Sequence, residues 1–203
     1  MGLHVSKVSY DDIEEYGVNE CFNIFKNSLN EIMDYTEKNQ QKILDEILAA
    51  IENVLQKANN SQKANKKGKI QSINIFCMNY YYYTQKEPVL IYVYDDRYYL
   101  DRTECFCSLE FDFIFKRYEE DAKEVKKILH KKYLRAGEEL IDRYLRKYLL
   151  DYFNIVAGIF QKYIVKIEDY IKNYDCLQED EILITLGGYM DEGIIINKTE
   201  REQ

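Results

Sequence analysis

The spacing of apolar residues changes period three times along this 203-residue chain, and that succession restricts the fold more than any motif does. Ile43, Leu44, Ile47, Leu48, Ile51, Val54 and Leu55 recur at three- and four-residue steps, the stripe of a helix facing a core. Val89-Leu90-Ile91-Tyr92-Val93-Tyr94 then alternates aliphatic and aromatic side chains with the period of two that belongs to a strand. Leu140, Ile141, Tyr144, Leu145, Tyr148 and Leu149 return to helical spacing, and so does the run from Phe153 to Ile171. The end is strand-like again, in Ile182-Leu183-Ile184-Thr185-Leu186 and Ile194-Ile195-Ile196-Asn197. A single Pro and eight Gly leave few breaks in these patterns.

The expected fold is therefore α+β in one domain spanning 1–203. Helices fill 11–57. An antiparallel three-stranded meander fills 70–106. A long helical segment covers 109–174, and a β-hairpin at 181–198 closes the same sheet. Which sheet face the helices cover stays open.

Within the first helical region, Asp11-Asp12 can cap the opening turn, with Glu14 and Glu15 well placed near a helix N-terminus. Thr36 either caps a second helix or lies within one continuous helix. Residues 58–69 read as a polar loop carrying Lys63, Lys66, Lys67 and Lys69. In the meander, the first strand runs into Tyr80–Tyr83, residues 84–88 turn, and Val89–Tyr94 is the second strand. Val89, Ile91 and Val93 share one face of it; Leu90, Tyr92 and Tyr94 share the other. Asp95-Asp96-Arg97 is a turn, and Tyr98-Tyr99-Leu100 begins a third strand reaching Phe106. Ser108 is a candidate N-cap, although Phe111–Phe115 could instead prolong the sheet. Breaks near Gly137 and Leu150-Asp151 divide the long helical segment. Gly187-Gly188 marks a bulge or a close backbone approach, and the last hairpin turns at Asp191–Gly193.

The residues offer little to catalysis. The two His, His4 and His130, have no nucleophile spaced nearby. Gly187-Gly188 lacks the Lys-Ser/Thr of a phosphate-binding loop. Asp95-Asp96 closes a strand, where metal-binding carboxylates often sit, but Asp112 and Lys116 do not make the acid-x-Lys strand pattern that a metal-dependent nuclease would use. Five cysteines, scattered and odd in number, fit reduced thiols better than disulfides, and Cys105-Phe-Cys107 falls short of a four-ligand zinc site. No metal and no cofactor is expected. The opening Met1-Gly2-Leu3-His4-Val5-Ser6 fits a myristoylation pattern, but no basic cluster follows it. No apolar run is long enough to span a membrane, so a cytoplasmic protein is expected.

A net charge of −8 repels nucleic-acid backbones and attracts basic partners. Eight of the 20 Tyr lie between residues 80 and 99. Tyr packs and hydrogen-bonds at once, and acids beside it steer a Lys- or Arg-rich partner. Tyr92, Tyr94, Asp95, Asp96, Tyr98 and Tyr99 form the candidate contact face, with Asp191 and Glu192 at a neighbouring strand end. The plainer alternative is that Tyr fills an outer sheet face because it suits strands.

In its Tyr-rich segment VLIYVYDDRYYLD and its closing ITLGGYMDEGIII, the chain resembles the small immunity proteins of bacterial polymorphic toxin systems. That resemblance implies a cytosolic protein that binds and blocks a toxin domain, often a basic nuclease. It carries over no individual residue. Two other readings stand beside it. One is a metal-dependent, nucleic-acid-acting enzyme using Lys63–Lys69 and Asp95-Asp96. The other is a helical scaffold or oligomer subunit, of unknown oligomeric state.

Overall fold

The structure, a computed structural model, describes residues 8–134, 136–188 and 194–200. In chain order the elements are α1 (Tyr10–Lys38), α2 (Gln40–Lys63), β1 (Ile70–Cys77), α3 (Tyr81–Thr84), β2 (Val89–Tyr94), β3 (Phe106–Leu109), α4 (Asp112–Lys132), α5 (Glu138–Lys172), β4 (Gln178–Gly188) and β5 (Ile194–Glu200). The fold is α+β, as the sequence periods require. The chain divides into two compact units. One holds the residues up to Lys38 with Phe111–Asn154; the other holds Asn39–Glu110 with the residues from Ile155 on. No helix of the described residues is long and apolar enough to cross a membrane.

The first unit is helical, built from α1, α4 and the first half of α5. Ser9 starts α1 with a reciprocal cap: its hydroxyl accepts from the Asp12 N–H at 3.2 Å, and the Asp12 carboxylate accepts from the Ser9 N–H at 2.8 Å. Ile13, Cys21 and Ile32 of α1 are buried, as are Ile114, Phe115, Tyr118, Val125 and Leu129 of α4 and Ile141, Leu145 and Leu149 of α5. Gly17 stands in mid-helix because a Cβ there would lie 2.7 Å from the Tyr144 hydroxyl oxygen. Buried among these helices is one carboxylate, Asp121. It accepts hydrogen bonds from the hydroxyls of Ser28 (3.0 Å), Tyr148 (3.3 Å) and Tyr152.

The second unit holds a five-stranded sheet in the order β3-β2-β1-β4-β5. β1, β2 and β3 form the antiparallel meander, and β4 and β5 form the closing antiparallel pair. β4 lies parallel to β1, which joins hairpin and meander in one sheet. α2 packs on β2 and β3. It buries Ile43, Ile47, Ile51, Val54 and Leu55, the stripe that the sequence displays.

Several expected boundaries shift. Tyr98–Leu100 is a 3-10 turn, and the third strand is Phe106–Leu109. The carboxylates of Asp95 and Asp101 accept from the N–H groups of Arg97 (3.0 Å) and Thr103 (2.9 Å), so local side-chain bonds displace a strand ladder there. Tyr81–Thr84 is a helical turn rather than the end of a strand. Ser108 lies within β3, and α4 begins only after Phe111 turns the backbone with φ 43°. Thr36 sits inside α1, where its hydroxyl donates to the Ile32 carbonyl at 2.8 Å. α2 continues to Lys63, so only the second half of the expected loop is loop. The chain does break near Gly137, but α5 runs unbroken through Leu150-Asp151, where nothing opposes a helix. β4 extends through Gly187-Gly188, and the irregularity in its pairing with β5 falls at Ile184/Thr185. The turn expected at Asp191–Gly193, and His4 with the Met1–Ser6 pattern, lie outside the described residues.

Asp121 makes a prediction in pH. Burial pushes its carboxyl above the ordinary value of 3.8, and the bonds from Tyr152, Ser28 and Tyr148 do not fully offset this. A folded value above the unfolded one means that the native state holds the proton more tightly. The contribution to stability is then full below the unfolded value and is lost as pH rises through the folded one. In urea titrations, Asp121→Asn should gain stability relative to the parent as pH rises from about 4 to about 7. A variant that instead loses ground over that interval would contradict the assignment.

Candidate functional site

The two faces of the sheet differ in chemistry. Val89, Ile91 and Val93 of β2 are fully buried, and their partners Cys77, Ile75 and Ile73 lie beside them. On the opposite face Leu90, Tyr92 and Tyr94 pair with Phe76, Asn74 and Ser72 of β1, and Tyr92 also pairs with Phe106 of β3. Phe76, Met78, Leu90 and Tyr94 form a buried cluster there, with Tyr80, Tyr92, Tyr98 and Phe106 partly buried around it.

The rings of this face form a continuous stack. Phe106 lies on Tyr92 at 5.1 Å and 20°, Tyr92 on Tyr94 at 5.7 Å and 8°, and Tyr94 on Tyr98 at 5.2 Å and 24°. Phe76 meets Tyr92 edge-on at 5.6 Å. Strand geometry dictates this: residues two apart on β2 and opposite on β3 share a face at ring-stacking distance. Each such pair contributes about 0.5–1.5 kcal/mol beyond area burial. At the near edge Tyr80 donates its hydroxyl to Glu87 at 3.0 Å, and burial together with that carboxylate pushes its phenol up to about 12.

Tyr98 is carried by a loop, and that loop is held by buried charge. Asp95, 0% exposed, accepts from the Gly68 N–H at 2.9 Å, from the Arg97 N–H at 3.0 Å, and from the Arg97 guanidinium at 2.5 Å and 3.1 Å. Arg97 also donates to Asp101 at 3.2 Å and to the Lys66 carbonyl at 3.1 Å. Lys67 pairs with Asp101, their side chains 0% and 1% exposed. Two acids and two bases thus clamp the segment 95–103 onto the segment 66–68. Burial alone would raise the Asp95 carboxyl, but the hydrogen bonds from Arg97 and Gly68 outweigh it and bring it down to about 2.

The residues singled out from the sequence therefore separate. Tyr92, Tyr94 and Tyr98 are members of one stack. Asp95 faces inward and clamps the loop, while Asp96 is exposed on the same turn. The Tyr99 side chain, Asp191 and Glu192 lie outside the described residues. Of the lysines in the basic segment, Lys67 is buried and Lys69 faces Glu179 at 3.5 Å. Both Asp95 oxygens are already engaged by donors, which removes that carboxylate from service to a cation. Among the described residues no three of His, Cys, Asp and Glu gather in a group that could hold a metal ion.

Sequence reasoning missed Phe106, Arg97, Lys67 and Asp101, and also Ser72 and Asn74, which are 0% and 2% exposed on the aromatic face. Ser72 and Asn74, polar residues two apart in the strand Ile70–Cys77, which apart from Asn74 is apolar from Ile73 on, were the available signal.

No family model matches the chain, no curated protein matches it, and no solved structure matches it.

The buried pair sets a test of the clamp. Asp101→Asn leaves the Lys67 ammonium buried without its counter-charge and should cost about 3–5 kcal/mol in urea unfolding. The double variant Lys67→Met/Asp101→Leu removes both charges and should recover most of that loss. A single variant within about 0.5 kcal/mol of the parent would show that the pair does not hold the loop.

Proposed function

We propose that this chain is a non-enzymatic protein-binding module that receives a basic protein partner on the aromatic face of its sheet. The contact residues are Tyr92, Tyr98 and Phe106, with Asp96 at the rim. One observation carries the reading: a four-ring stack, partly exposed, is fixed in advance by strand pairing at one end and by a charge clamp at the other. Fixed aromatic rings give contact area at low entropic cost, which is what separates a recognition surface from a merely wet one. The net charge of −8 favours approach of a basic partner. A toxin-blocking immunity protein acting in the cytoplasm is the instance that the sequence resemblance suggests, and the acidity of the whole chain supports it.

The test is co-purification with a basic protein encoded by the adjacent gene, followed by titration of face variants. Tyr92→Ala combined with Tyr98→Ala should weaken the complex by at least about 2 kcal/mol, roughly thirtyfold. Phe22→Ser, at an exposed position of α1, should leave it unchanged. Equal affinity for the parent and the double Tyr variant would refute the reading.

A further inference from the structure

Beneath the aromatic face lie two polar atoms with no hydrogen-bond partner among the described residues. Ser72 Oγ and Asn74 Oδ1 are buried without a hydrogen-bond partner. Each sits on β1, opposite Tyr94 and Tyr92 respectively. Leaving such an atom unpaired in a folded protein costs stability, and apolar residues at these two strand positions would have avoided it. The other end of the Asn74 carboxamide is in use: Nδ2 donates to the Tyr98 hydroxyl at 2.9 Å. Both unpartnered oxygens can accept a hydrogen bond.

Tyr98 is the wall of this site: its ring lies on Tyr94 and its hydroxyl meets Asn74. Its φ is +52°, a left-handed conformation uncommon for a bulky residue and of the kind that clusters at functional sites. The backbone on both sides is anchored, by Asp95 and Arg97 before it and by Asp101 after it. Access to the two oxygens is therefore governed by the Tyr98 side chain rather than by unfolding of the loop.

Resting on the proposed binding role, we infer that Ser72 and Asn74 floor a pocket for one arginine side chain of the basic partner, admitted by displacement of Tyr98. A guanidinium has only donors, which suits two oxygens that can both accept. It is planar and stacks on aromatic rings, which suits the neighbouring Tyr94 and Tyr98. Asp96, exposed two residues before Tyr98, adds a carboxylate on the same turn. A lysine ammonium would meet the acceptors but gain less from the ring faces.

The probe is acetyl-arginine methylamide, titrated into the full chain while the Asn74 side-chain amide is followed by nitrogen–proton NMR. Acetyl-citrulline methylamide, similar in shape but uncharged, is the control. Saturable shifts of the Asn74 amide with the arginine probe are expected, and binding about tenfold weaker or undetectable with citrulline and in the folded variant Ser72→Ala. An unmoved Asn74 amide, as a resident water bridging the two oxygens would give, overturns the pocket. Shifts confined to Tyr92 and Phe106 overturn the pocket while leaving the aromatic-face reading intact. Loss of the partner complex in the double Tyr variant but not in Asn74→Leu separates the two claims in the same way.

Discussion

The candidate site depends on the charged quartet of Asp95, Asp101 and Lys67, which are buried, and the exposed Arg97. Without it, the segment after β2 would have no reason to fold back over the sheet, and Tyr98 would not lie on Tyr94. Buried ion pairs seldom add net stability, because desolvation cancels much of the attraction. Their use here is geometric. Two carboxylates take up the N–H groups of Gly68, Arg97 and Thr103 that a loop would otherwise leave unsatisfied. The same bonds fix where Tyr98 and Asp96 stand, so the clamp links backbone satisfaction directly to the shape of the surface.

The sheet supplies the other half of that surface. β1 is hydrogen-bonded on both sides, antiparallel to β2 and parallel to β4. It therefore sends Ile73, Ile75 and Cys77 to the face that α2 covers beside β2, and Ser72, Asn74 and Phe76 to the aromatic face. The helix-covered side is closed by aliphatic packing. The aromatic side is closed by rings whose stacking leaves Tyr92, Tyr98 and Phe106 partly exposed. A strand with apolar residues on one side and Ser, Asn and Phe on the other is the local cause of that difference.

How much of this was legible follows from the range of each interaction. The helices, the meander and the closing pair were readable because periods of 3.6 and two are local properties of the chain. Tyr98-Tyr99-Leu100 read as strand because Tyr favours strands, yet the side chains of Asp95 and Asp101 took the backbone elsewhere. Lys67 read as one of several solvated loop lysines. Its partner Asp101 is 34 residues away, and no local pattern announces such a pair. Asp95-Asp96 looked like a matched pair of surface acids, but in the turn after β2 the N–H groups of Gly68 and Arg97 hold Asp95 inward and Asp96 is left exposed. The continuity of α5 through Leu150-Asp151 was hidden because neither residue signals continuation or arrest.

The account's central claim is that the clamped aromatic face is where a partner binds. Amide hydrogen exchange of the chain, free and in its purified complex, addresses it most directly. The account predicts that added protection concentrates in residues 90–108 and in β1, with the amides of Gly68, Arg97 and Thr103 already slow in the free protein. Protection confined to α1 and α4, with residues 90–108 unchanged on binding, would contradict it.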